Sequence, residues 1–314
     1  QYGVLTSTQV AALGATQAGA LETADLAALS NGALRALTAT ALGGLTTAQV
    51  QALSGSQVAA LSSTQLAALS TAQVAAIETS DLAVMGTAQI AALPAGQLAA
   101  LTTAQIQALS GSQVAVLKST QVPALTTDQM AALEVADLGA MTTVQVKWLG
   151  DAQLAALGSA QIGGLSNAQV AALPSARIGA LGSDDLNALT ATQFAALTTA
   201  QIGAITAPQA ATLETADLAA LGSAALRALT PAAIAALGSA AFQALSATQF
   251  AAMTTAQVVA WTTAQMAALE TTDLVAPGNK IIGALATSAT PTGAPAALAT
   301  QAPGLVTAAG GPTT

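Results

Sequence analysis

The chain of 314 residues contains no cysteine and no histidine, aromatic residues make up 2% of it, and charged residues only 6%. Without cysteine there is no disulfide framework. Without either residue there is no zinc site of the usual kind and no catalysis built on a histidine base or a cysteine nucleophile. The six Lys and Arg are scattered and cannot form a phosphate-tracking patch, so nucleic acid is not an expected partner. No apolar run approaches the ~18 residues of a membrane-spanning helix. Ser, Thr, Gln or Asp interrupts each short stretch, and no transmembrane segment is expected. Designed soluble surfaces carry roughly 25–35% charged residues. Here the net charge is −8 and the exterior must be largely Ala, Thr, Ser, Gly and Gln. A weakly charged, regular exterior favours lateral association, so a homo-oligomer or filament is expected, through lateral or end-to-end contacts. A start at Gln1, with no methionine, is expected of a processed or truncated product.

What fills the chain is one unit of eight residues, present in thirty-four copies from Leu5 to Ala276 with no insertion or deletion. It reads Leu-(Thr/Ser)-(Thr/Ser)-Ala-Gln-(Val/Ile/Leu)-Ala-Ala, as in 45–52, 101–108 and 197–204. The organisation is therefore a lead-in over 1–4, an octad array over 5–276, and a tail over 277–314 rich in Ala, Thr, Pro and Gly, read as a linker or as a segment that orders against a neighbouring subunit.

Position 1 of the octad is Leu in 28 of 34 copies, the others being Ile77, Met85, Met141, Ile205, Met253 and Trp261, and position 6 is apolar throughout. These two positions are the expected buried anchors. Position 7 accepts Arg35, Gln51, Gln107, Lys147 and Asn187 and is expected to face outward. Position 8 is mostly Ala, a site of close approach, with Val84, Val116 and Trp148 as exceptions. A continuous helix is excluded by geometry. At about 100° per residue each Leu would land roughly 80° round from the last, so no stable stripe could form.

The pattern predicts an all-α solenoid of very short helices, one per octad. Ser or Thr at positions 2 and 3 suits the N-cap, and Gln at position 5 has capping-box spacing from position 2. Pro94, Pro174, Pro208 and Pro231 fall at or beside the first helical residue, where proline is tolerated, whereas Pro123 at position 7 must distort its unit. A β-solenoid is the alternative, because positions 6 to 8 alternate and Thr, Val and Ile suit strands.

Five octads carry Glu at position 2 and Asp at position 5: Glu22/Asp25, Glu78/Asp81, Glu134/Asp137, Glu214/Asp217 and Glu270/Asp273. Their spacings are 56, 56, 80 and 56 residues, and two octads reading Leu-Ser-Gly-Ser-Gln-Val, at 53–60 and 109–116, are also 56 apart. A seven-octad super-repeat thus overlies the basic one. The plainer reading of the pairs is acids placed near helix N-termini. A second assigns each pair to calcium, a cation that takes carboxylate oxygens. A third pairs Arg35 and Arg227 with the Asp ten residues before each. Trp148 and Trp261, at positions 8 and 1, and Phe194, Phe242 and Phe250, all at position 6, are expected to fill the core.

Runs such as Leu45-Thr46-Thr47-Ala48-Gln49-Val50 and Leu197-Thr198-Thr199-Ala200-Gln201-Ile202 resemble the octapeptide arrays of very large secreted proteobacterial proteins. That resemblance covers 5–276. It implies an extracellular or cell-surface setting and adhesin-type, matrix or fibre material. The expected function is a structural, self-associating repeat protein without enzymatic activity and without a cofactor other than the calcium considered above. An adhesin stalk, or a repeated face that binds glycan, ice or a hydrophobic surface, is the alternative.

Overall fold

A computed structural model describes residues 5–268. The lead-in, the octad 269–276 with Glu270 and Asp273, and the tail lie outside the described residues. Each octad within them holds one short helix, thirty-two of them α-helical, and no strand occurs among the described residues. The fold is therefore the solenoid of short helices, and the β-solenoid alternative is corrected.

The octad at 45–52 shows why. Thr46 is extended (φ −74°, ψ 160°) and caps the helix Thr47–Gln51. The backbone N–H of Gln49 donates to Thr46 Oγ1 at 3.2 Å, while the N–H of Thr46 donates to Gln49 Oε1 at 2.7 Å. Two otherwise orphaned helix N–H groups are thereby satisfied. The helix stops after little more than one turn because the next Leu and Thr/Ser leave the helical region. Leu61 (φ −63°, ψ 137°) and Ser62 (φ −70°, ψ 158°) are both extended, and this two-residue corner redirects the chain. Position 2 is thus the N-cap and position 3 the first helical residue. Pro94 and Pro174 are N-caps, and Pro208 and Pro231 lie at the first or second helical position, none costing an internal hydrogen bond. Pro123 does distort its octad, which holds the 3₁₀ turn Val122–Ala124 where its neighbours have α-helix.

The chain divides into two compact units, Gln1–Gly164 and Leu165–Thr314. In each, a helix packs on the helix three octads along. Ser7–Ala11 meets Asn31–Ala36 and Gly55–Ala60 meets Thr79–Ala83 in the first unit, and Ala207–Ala211 meets Pro231–Ala236 in the second. Both cores are built from positions 1 and 6, with Leu26, Leu66, Ile106, Ile202 and Leu218 wholly buried. Phe242, Phe250 and Trp261 form an edge-to-face cluster in the second core, with ring centroids 5.2, 5.3 and 5.9 Å apart. Phe194 is also fully buried. Trp148 departs from expectation. Position 8 lies at the margin of the coil, so Trp148 is half-buried and Val84 is exposed. Close approach at that position does hold, since a Cβ on Gly44 would lie 2.3 Å from the Ala15 carbonyl oxygen.

Candidate functional site: glutamine seam and acidic octads

Gln at position 5 does more than complete the cap. Its Oε1 is committed to the cap, except at Gln97 where the N-cap is Pro94 and Oε1 has no partner, and its Nε2 turns to the preceding coil turn. Gln73 donates to the carbonyls of Leu42 at 2.9 Å and Leu45 at 2.7 Å. Gln105 reaches Val74 at 3.2 Å and Ile77 at 2.6 Å, and Gln257 reaches Leu226 at 2.9 Å and Leu229 at 2.7 Å. The bonds span 31 and 28 residues, and they repeat at Gln49, Gln57, Gln89, Gln129, Gln201 and Gln265. Gln49, Gln105, Gln201 and Gln265 are at most 2% exposed, so this is a buried polar seam. Its signal in the sequence is that position 5 is never Glu, although Glu completes a capping box equally well. The site needs a donor facing the carbonyls as well as an acceptor facing the cap, which an amide offers and an ionised carboxylate does not.

Contacts on the other edge of the coil run 25 residues forward. Arg35 Nε donates to the Ala60 carbonyl at 2.8 Å, and Asn187 Nδ2 to the Thr212 carbonyl at 2.8 Å. Bonds of 25 to 31 residues bracket one coil turn at about three and a half octads. Fifty-six residues is then two turns, which explains the super-repeat. At that pitch the octads of Asp25, Asp81 and Asp137 in the first unit are spaced two turns apart. The Leu-Ser-Gly-Ser octads belong to the same feature. A Cβ on Gly55 would lie 3.0 Å from Val84 Cγ2 and 3.1 Å from Asp81 Oδ1, and one on Gly111 would lie 2.8 Å from the Ala140 Cβ and 3.5 Å from Asp137 Oδ1. Glycine makes room for the acidic octad lying three octads later.

Within each acidic octad the two carboxylates have different surroundings. Glu22, Glu78, Glu134 and Glu214 are exposed N-cap residues whose side chains make no capping bond. Asp25 is half-buried, while Asp81, Asp137 and Asp217 are buried in the seat otherwise held by Gln. Burial, with Glu134 adding repulsion, lifts the Asp137 carboxyl above the usual carboxylate range. Burial lifts Asp81 likewise, opposed by a hydrogen bond from Ser80 Oγ at 3.3 Å and reinforced by Glu78. Asp217, 2% exposed, is pushed up to about 6 by burial first and Glu214 second. Among the described residues no three acidic side chains come together as metal ligands, so each pair offers two carboxylates in unlike settings. Arg35 spends its Nε on the Ala60 carbonyl. An open groove of about 440 Å³ beside Glu78, lined also by Gln51, Ile77, Thr79, Thr102 and Gln105, presents one carboxylate among amides and hydroxyls.

The family described as ALTTAQ repeat matches eight stretches of the chain: residues 18–55, 74–111, 90–127, 107–135, 130–167, 154–183, 178–215 and 210–247. No curated protein matches it.

Proposed function

The chain belongs to the ALTTAQ repeat family, and from that premise we propose that it is a structural, self-associating protein that forms or decorates an extracellular fibre on a bacterial surface, and that it is not an enzyme. One observation carries this reading. Among the described residues most octads present a small, neutral exterior of Ala, Thr and Ser, broken mainly by the recurring exposed glutamates of the acidic octads, with charged residues at only 6% of the sequence. A surface that repeats along a chain can meet a second copy at many registers, and weak charge leaves little to keep copies apart. The secreted setting is part of the proposal. It is supported by the resemblance of the octads to arrays in secreted proteins and is compatible with the lack of cysteine.

Electron microscopy of the purified chain over a range of concentrations, with sedimentation in parallel, tests the proposal. Uniform filaments or bundles are expected above a critical concentration. Dispersed monomers at every concentration would overturn it in favour of a stalk or surface-binding array.

A further inference from the structure

In the second unit the glutamine seam is interrupted for one whole turn. Gln209 donates to Ile178 and Leu181, each at 2.8 Å, and Gln249 donates to Leu218 and Leu221, each at 2.8 Å. Between them position 5 is Asp217, Ala225, Ala233 and Ala241. The turn over 213–244 therefore carries no glutamine amide to tie it to the turn before. Ala233 is wholly buried and Ala241 nearly so, and the helices Ala207–Ala211 and Pro231–Ala236 pack directly across this gap. Asp217 is the one position-5 side chain of that turn with polar atoms. Its Oδ2 is buried and has no hydrogen-bond partner. By register, the carbonyls that a Gln in this seat would meet are those of Leu186 and Leu189.

We propose that Asp217 is a proton-operated latch for the turn 213–244. As a neutral acid its hydroxyl donates to a backbone carbonyl in the vacant amide seat and clips this turn to the previous one. As a carboxylate it presents only acceptors to that carbonyl pair and releases the turn. A buried carboxyl oxygen that faces only carbonyls forms a hydrogen bond with them only when protonated. The charge of Glu214 acts in the same direction. Glu214 is the N-cap residue of the same helix, Asp184 and Asp185 precede Leu186 in the octad that supplies one carbonyl, and Arg227, in the following octad, is a cation whose sign would favour the carboxylate. The helices Ala191–Ala195 and Ser239–Gln243, packed against that of Asp217, contribute no ionisable side chain. The raised affinity of Asp217 for its proton agrees with these surroundings. The consequence is a coil that is closed along its length in mild acid and openable at one defined turn at neutral pH.

Hydrogen exchange of the full chain, read by mass spectrometry on peptides from 213–244 and corrected for intrinsic rates, tests this between pH 4 and pH 8. The wild type should show opening of this turn that increases on the order of a hundredfold over that range, from the displacement of one carboxyl from 3.8 to about 6. D217N, which mimics the neutral acid, and D217Q, which restores the standard unit, should show little change. A wild type and variants with the same pH dependence would overturn the proposal. So would closure of the wild-type turn at pH 8 by a few millimolar calcium, since a cation and not a proton would then fill the seat.

Discussion

Gln105 meets two groups of its own cap and three carbonyls of the turn before, those of Val74, Ala75 and Ile77, through one amide. Burial makes that expensive to lose, because each buried group left without a partner costs about 1–3 kcal/mol. Q105E keeps the acceptor for Thr102 and removes the donor. We expect it to lower stability by about 2–3 kcal/mol at pH 7 and by less at pH 4, where the carboxyl can donate, as measured by urea unfolding. Thr102→Ala removes only the cap oxygen and should cost about 1 kcal/mol. Equal effects of the two changes would mean that the seam adds nothing beyond the cap. Trp261 offers the opposite case. Its ring is packed edge-on against Phe242 and Phe250, yet Nε1 is buried without a partner. W261F therefore gives up packing area but also an unsatisfied N–H. It should cost less than the roughly 3–5 kcal/mol of a Trp→Ala truncation in the same assay.

At the scale of the helix, five residues lie far below the ~12–15 needed for marginal stability alone, so each element exists only through its cap and its neighbours. Pro123 tests how far the array tolerates a poor unit. Its octad retains Lys118 and Gln121 in cap register, with the Lys118 N–H donating to Gln121 Oε1 at 2.8 Å, but its helix shrinks to a 3₁₀ turn. P123A should restore an α-helix and raise stability by about 1–3 kcal/mol, visible as added ellipticity at 222 nm and a higher unfolding midpoint. Gly111 shows packing overriding propensity. Alanine is the better helix former, yet its Cβ would sit 2.8 Å from the Ala140 Cβ. G111A should therefore lower the unfolding midpoint where propensity alone would raise it.

Across a whole unit, stability is a sum of near-identical octads and their contacts one turn away. Removing one complete octad, 101–108, should preserve cooperative unfolding and helical signal per residue. Removing 101–104 alone should lower both, because it puts position 1 where position 5 belongs across the adjoining turns. Circular dichroism decides between these outcomes. The buried acids impose a pH dependence on the same scale. Asp81, Asp137 and Asp217 bind protons more tightly folded than unfolded, where the value is 3.8. Their contribution is complete below 3.8 and is lost as pH rises through the folded values, about 6 for Asp217. The urea midpoint should fall between pH 4 and pH 7, and glutamine at all three positions should flatten that fall.

The helices, their caps and the identity of the core were legible in the primary structure, because a cap, a five-residue helix and a corner depend on atoms within eight residues of one another. The distortion at Pro123 and the placement of the phenylalanines at position 6 were legible for the same reason. The second role of glutamine, the margin position of Trp148, and the meaning of the 56-residue spacing were decided by the coil. They depend on which octad lies above which, and that follows from the angle turned at each two-residue corner. A repeating sequence looks alike at every offset, so only the packed turns select the one at which buried carbonyls find an amide, and in which an aspartate in that amide's place is left with an oxygen unpaired.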